Sequence, residues 1–227
     1  MSSDDTSAKA APGASAKKPA PALGAERLLI VGTGALAVMH LPFWMNWLHV
    51  NYPDLDVQLA LTRSAERFVS REGLTVMGSR EVIADVWPDQ PETSALHVRL
   101  ADWPDAVAVY PAGMDFISRM AAGAANTPVL MALQCTRAPV VIAPSLPPHA
   151  ELNPALQDNL RRLGERPNTS VAPGQPGRSS TSGDKVLMAP PLWAVLRLLE
   201  QQRQAMAAPA EPATAREPVR ADAPATT

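Results

Sequence analysis

The chain has 227 residues, 46% hydrophobic and 19% charged, with a formal charge of −2. That is enough apolar material for one sizeable core and too little basic charge for a polybasic nucleic-acid binder. Its 24 prolines, about twice the ordinary share, place part of the chain outside any packed domain, and the single cysteine, Cys135, excludes an internal disulfide framework or a zinc site built on several thiolates.

Residues 1–25 are nearly all Ala, Ser, Lys, Pro, Asp and Gly, without hydrophobic periodicity, and read as a disordered tail. Asp4 and Asp5 stand where a secretory signal would carry positive charge; no targeting segment is read, and a reducing cytoplasm is the expected location. The first strand candidate, 28–31, runs into Gly32-Thr33-Gly34-Ala35-Leu36-Ala37 and a helical pattern over 34–50, broken or restarted at Pro42. His40, Pro42, Asn46 and His49 interrupt that stretch, which falls short of the ~20 clean apolar residues of a membrane span. A second strand, 57–61, leads through Thr62-Arg63-Ser64 into a helical pattern over 64–72. A third strand, 106–110, is followed by helical patterns over 113–124 and 126–135, and a fourth, 139–143, ends at Pro144. Helices over 153–163 and 190–203 enclose 166–184, a Pro-, Gly- and Ser-rich stretch read as a mobile loop, either disordered or functional as a lid. Residues 205–227 repeat the composition of the first tail, which leaves 26–204 as the folded domain. Alternating strands and helices predict an α/β domain with a parallel sheet covered on both faces, and ligands beyond the strand C-terminal ends.

Gly32, Thr33 and Gly34 follow a strand and open a helix, which suits a phosphate held by backbone N–H groups or a tight turn with no ligand. After the second strand an NAD site would place an acid; Thr62-Arg63-Ser64 instead offers phosphate donors or an arginine for an NADP 2′-phosphate, and Ser64 is equally a helix N-cap. No histidine pair among His40, His49, His97 and His149 has the spacing of a metal-binding helix face, so no metal site is expected. His97 lies where a polar segment enters a structured element and on its own reads as a surface histidine. Cys135 reads as a small buried hydrophobe, Asp115 as a helix-start carboxylate, and Trp44 and Trp47 as core.

In order, over about 27–163, these segments resemble the homo-oligomeric flavin-containing cysteine decarboxylases, which include phosphopantothenoylcysteine decarboxylase and the decarboxylases of lanthipeptide-type peptide biosynthesis. The Gly-rich turn and Thr62-x-Ser64-Ala65-x-x-Phe68 resemble the family's first two motifs. His97-x-x-Leu100-x-x-Trp103-x-Asp105 resembles the segment that carries its catalytic histidine. The family's P-A-S-A-N-T falls on Pro111-Ala112-Gly113-Met114-Asp115-Phe116, with Asp115 for Asn. Its substrate clamp, P-x-M-N-x-x-M-W, falls on Pro144-Ser145-Leu146-Pro147-Pro148-His149-Ala150-Glu151, where only the proline survives. The resemblance implies a Rossmann-like, flavodoxin-type α/β fold, three layers around a mostly parallel sheet, with FMN or FAD bound by Gly32, Thr33, Gly34, Ser64, Pro111 and Ala112. It implies catalysis by His97 as base with Asp115, and a peptide C-terminus met by Pro144, Ser145, Leu146 and Asn153. The implied reaction is oxidative decarboxylation of the C-terminal cysteine of a ribosomally made precursor peptide. Hydride leaves Cβ for the flavin as the thiol loses its proton, carbon dioxide departs from the thioaldehyde, and the enethiol serves aminovinyl-cysteine formation. Asp115 would repel the substrate carboxylate unless it is protonated or bonds a backbone amide or Arg119. A homotrimer or dodecamer with active sites between subunits is implied, with neither nucleic acid nor membrane as partner. Phosphopantothenoylcysteine decarboxylase, an NADP-dependent reductase and an inactive flavin-fold binding subunit are the alternatives.

Overall fold

Four short runs of Val, Ile, Leu and Ala become strands buried on both faces, as parallel strands covered by helices must be. The computed structural model describes residues 19–90 and 93–208. Its main sheet contains β1 (Arg27–Gly32), β2 (Asp56–Leu61), β3 (Ile83–Ala84), β4 (Ala106–Ala112), β5 (Val140–Pro144) and β6 (Thr169–Val171). All pairs are parallel, in the order β3-β2-β1-β4-β5-β6. Alternate residues of each strand feed opposite cores. Leu28 and Ile30 meet α1 (Leu41–Asn51) and α7 (Leu192–Ala207) through Leu41, Met45, Val195 and Leu199. Leu29 and Val31 meet α3 (Leu96–Asp102), α4 (Met114–Ala121), α5 (Pro128–Cys135) and α6 (Pro154–Gly164). The result is a Rossmann-like, flavodoxin-type three-layer fold. Between β1 and β4 the order of connection reverses, so the loops after these two strands part and open a crevice at the C-terminal edge of the sheet.

Several elements depart from the sequence reading. The pattern over 34–50 divides into a 3-10 turn, Leu36–His40, and α1, whose first turn holds Pro42 where no N–H is required. The helix expected over 64–72 is a 3-10 turn, Ala65–Arg67, followed by α2 (Arg71–Gly78), because Ser70 caps α2 by accepting from the Gly73 N–H at 3.1 Å. Two residues of β3 and seven of α3 lie below the length at which periodicity shows. The stretch 166–184 holds β6 and β7 (Gln175–Arg178), the latter paired antiparallel with β8 (Lys185–Met188). Gly174 and Gly177 permit this pairing: a Cβ there would come within 2.2 Å of Leu187 and 2.3 Å of Met188. Cys135, expected buried, is exposed at the last residue of α5, while Trp44 and Trp47 pack partly buried against the first core.

The tail boundaries also move. The Pro21 carbonyl accepts from the Tyr52 hydroxyl at 2.6 Å, Ala25 is buried, and α7 runs to Ala207; residues 1–18 and 209–227 of the expected tails lie outside the described residues. Glu200 anchors this junction. Its carboxylate accepts from the Gly24 N–H (2.9 Å), from Arg203 (2.8 and 2.9 Å) and from Gln204 (2.7 Å). The Arg203 hydrogen bonds hold its pKa down at about 2, against 4.5 ordinarily. A carboxylate depressed in the folded state adds stability that is complete above the unfolded value and disappears as pH falls through the folded one. Urea unfolding from pH 7 to 2 should therefore show Glu200→Gln less stable than the parent at neutral pH, with the difference closing between pH 4.5 and about 2. A gap independent of pH would place the effect elsewhere.

Candidate active site

A cleft of about 330 Å³ opens at the switch point, lined by the turns after β1 and β2, by Asp85 and Val86 after β3, and by the start of α4. Thr33, 1% exposed, holds it in shape. Its hydroxyl donates to the Pro111 carbonyl at 2.6 Å and accepts from the Gly113 N–H at 2.7 Å. Both bonds cross from the β1 turn to the β4 turn, so the hydroxyl proton and one lone pair are committed to the fold. Gly32 is a packing glycine, since a Cβ there would stand 2.6 Å from Leu61. Gly34 is where two turns nearly touch: its Cβ would fall 2.4 Å from the Ser64 Cβ. This close approach packs Ser64 against the Gly34 backbone and leaves no room there for a side chain.

Ser64 is exposed at the cleft and makes no side-chain cap bond to the 3-10 turn that follows. The Thr62 hydroxyl accepts from the Ala65 N–H at 3.3 Å instead, which leaves the Ser64 oxygen for a ligand. Arg63 lines the same wall. On the opposite wall, Asp115 sits in the first turn of α4 with its side chain 83% exposed, 3.6 Å from the Arg119 guanidinium one helical turn on. Arg119 also donates to the Asn126 carboxamide oxygen at 2.8 Å. The arginine thus offsets the charge that an aspartate brings to this position.

Asp85, 5% exposed, passed unnoticed in the sequence because the strand before it is only two residues long. It accepts from the Val129 N–H at the start of α5 (2.9 Å). Burial pushes its carboxyl pKa up, against the Val129 and Thr127 hydrogen bonds and Arg119, which act to lower it. Trp87 and Asn126 escaped notice because each matters through a partner distant in sequence, the Trp87 indole N–H donating to the Asn126 carbonyl at 2.9 Å.

The other expected site residues lie outside this cleft. Pro111 and Ala112 are buried at the end of β4, where the Pro111 carbonyl serves Thr33 and the Ala112 carbonyl accepts from the Ser145 N–H at 2.9 Å. Pro144 is buried opposite Ala112, and Leu146 is 6% exposed with its N–H bonded to the Leu187 carbonyl at 2.9 Å. The Asn153 carboxamide caps α6 by accepting from the Ala155 N–H at 2.9 Å. His97, in the first turn of α3, is not among the residues lining the cleft; its ring packs edge-to-face on Trp87, centroids 5.6 Å apart. Ser64, Thr33, Gly34 and Asp115 are therefore brought together, and His97 stands one ring beyond Val86.

Thr33→Val keeps the shape and removes both buried hydrogen bonds. It should cost about 1–3 kcal/mol in urea unfolding, the scale of an orphaned buried polar group, whereas Thr33→Ser should cost far less. Equal stability of Val and parent would show that the strut carries no strength.

Three relatives fit this architecture. A cypemycin cysteine dehydrogenase (decarboxylating) from Streptomyces sp is 33% identical over 141 residues, 62% of this chain and 73% of that protein. The crystal structure of the cypemycin decarboxylase CypD superposes with a TM-score of 0.69 at 27% identity, covering 83% of this chain and 99% of that one. The FMN-dependent cysteine decarboxylase TvaF from thioviridamide biosynthesis gives 0.60 at 25% identity, covering 78% and 98%. The model of the flavoprotein family matches residues 17–189, so the chain belongs to the flavoprotein family, as a homologue of its flavin-dependent cysteine decarboxylases.

Proposed function

We propose that this protein oxidatively decarboxylates the C-terminal cysteine of a ribosomally made precursor peptide to an enethiol, the precursor of an aminovinyl-cysteine ring, with FMN as cofactor. The observation that carries the proposal is the meeting of the Gly34 turn with Ser64, whose hydroxyl makes no cap bond, at the crevice of a chain homologous to cysteine decarboxylases. The residues fit a flavin phosphate: Gly34 leaves room for close backbone approach, Ser64 offers a hydroxyl and Arg63 a charge. Bound flavin supplies the two-electron acceptor for hydride from the cysteine Cβ.

The chain's own residues do the rest. His97 takes the thiol proton, as an imidazole can near neutral pH. Since His97 does not line its own chain's cleft, the proposal has it act at the border between subunits of a homotrimer or of a dodecamer built from trimers. Exposed Leu36, Met39 and Phe43 beside the Gly34 turn supply an apolar face for such an assembly. Asp115 and Arg119 present a neutralised pair to the peptide terminus, and Arg119 draws in the substrate carboxylate. The loop from Pro144 through Leu146 to Asn153, which leaves the C-terminal end of β5 and is bonded to Ala112 at the end of β4, would meet the peptide terminus. The β7–β8 hairpin is tied to that loop through Leu146 and Leu187, and we assign it the role of lid over the peptide. Among the described residues no helix is long and apolar enough to cross a membrane; a cytoplasmic enzyme is part of the same proposal.

Two variants test the reading. Ser64→Asp sets a carboxylate against the cofactor phosphate and should release flavin from a folded protein, read as absorbance at equal protein concentration; a variant as yellow as its parent would remove Ser64 from the cofactor site. His97→Asn should retain flavin and lose about 10²- to 10⁴-fold in turnover. The assay is anaerobic flavin bleaching with a cysteine-ended peptide, together with the ~46 Da loss of carbon dioxide and two hydrogens. Parental turnover by His97→Asn would end its role as base. Turnover of phosphopantothenoylcysteine in place of the peptide would reassign the substrate.

A further inference from the structure

His97 is carried by a short helix. The seven residues of α3 begin without a side-chain cap, and Leu96, Leu100 and Ala101 hold the helix down by burial. These contacts fix the backbone and leave the imidazole torsions to whatever touches the ring. Nδ1 is shut off from solvent and makes no hydrogen bond to any described residue. The ring contact is Trp87, centroids 5.6 Å apart with the planes at 71°, the edge-to-face arrangement that aromatic quadrupoles favour.

Trp87 is itself held from behind. Its indole N–H donates to the Asn126 carbonyl at 2.9 Å, and the Asn126 carboxamide oxygen receives Arg119 at 2.8 Å. Two residues earlier, Asp85 is bonded to the Val129 N–H. The segment from Asp85 to Trp87 is therefore fastened at two points to the residues that open α5, and the same Asn126 holds both Trp87 and the arginine of the cleft. An indole 42% exposed is ordinarily a surface apolar side chain without consequence. Here its N–H is anchored on the body of the domain and its ring rests on the imidazole.

We propose that Trp87 is a positioning residue for His97: the indole, anchored on Asn126, fixes the plane of the imidazole and sets it relative to Arg119 and the cleft. This rests on the reading of His97 as the base. Two substitutions separate the functions of the indole. Trp87→Phe keeps a ring against His97 and gives up the anchor, and Trp87→Leu gives up both.

The experiment uses the full, flavin-loaded chain. The His97 ring-proton resonance is located by its absence in His97→Asn, and flavin content, kcat and KM are measured for each variant with the cysteine-ended peptide. In Trp87→Leu the resonance should move out of the indole ring current. The value of kcat should fall toward the 10²-fold that misplacement of a reacting group by about 1 Å can cost, with flavin content and KM little changed. Trp87→Phe, which keeps the ring and lacks the anchor, should fall between Trp87→Leu and the parent in kcat. An unmoved resonance, a moved resonance with parental kcat, an effect on KM alone, or a Phe variant as slow as Leu would each overturn the assignment. The underlying reading fails separately: His97→Asn as fast as the parent removes the base, whereas a slow His97→Asn beside a fast Trp87→Leu removes only Trp87.

Discussion

One buried hydroxyl, that of Thr33, ties together two of the turns that flank the cleft. The sheet order separates the turns after β1 and β4, and nothing in parallel pairing sets how far apart they stand beyond the last ladder bond. Thr33 sets that distance with two hydrogen bonds, one to each side of the Pro111–Gly113 turn. With that span fixed, Gly34 is brought against Ser64 and the N-terminal turn of α4 faces the same space. Replacing water around Thr33 by two short intramolecular bonds stabilises modestly; leaving either partner alone in the core would cost more, so the arrangement is held by the penalty for breaking it.

Charge in the cleft follows from the same economy of partners. Arg63 and Arg119 face Asp85 and Asp115, but the two acids differ in kind. Asp85 is nearly shut away and its carboxyl serves the start of α5, so its negative charge is opposed by burial and satisfied by the backbone. Asp115 is open to solvent, where its attraction to Arg119 is screened. Arg119 is fixed more firmly by neutral Asn126 than by its ion pair. Its guanidinium therefore keeps its place whether or not Asp115 moves toward a ligand.

The sequence made the strands and the helices that carry apolar stripes legible, because both patterns are local and repeat. Leu28 to Val31 and Val140 to Ile142 leave few other readings for a chain of this length. The turn glycines and Ser64 were also legible, because a close approach leaves a mark in residue type. Asp85, Trp87 and Asn126 left none: an acid, an indole and an amide in loops are ordinary, and their meaning comes from pairings 39 to 44 residues apart in the chain. The hairpin of β7 and β8 was hidden by the composition that permits it, since glycine and proline signal a loop while Gly174 and Gly177 admit Leu187 and Met188. Asn153 carries a part that its motif did not announce, since its carboxamide caps α6 by accepting from the Ala155 N–H.

The substitution of Asp115 for the asparagine of the family motif becomes intelligible at this point. An asparagine one turn before Arg119 would leave the guanidinium with neutral Asn126 and the charge of buried Asp85, and the open wall of the cleft would lose the carboxylate that stands 3.6 Å from it. With aspartate, that wall is neutral as a pair, while Arg63 keeps its positive charge at the end where Gly34 meets Ser64. The two ends of the cleft thus differ in field: Arg63 leaves one end positive, and the Asp115–Arg119 pair leaves the other balanced. Under the proposed function a substrate carboxylate would take the place of Asp115 on Arg119, an exchange that costs little in solvent-exposed geometry, on a planar guanidinium that Asn126 already holds in place.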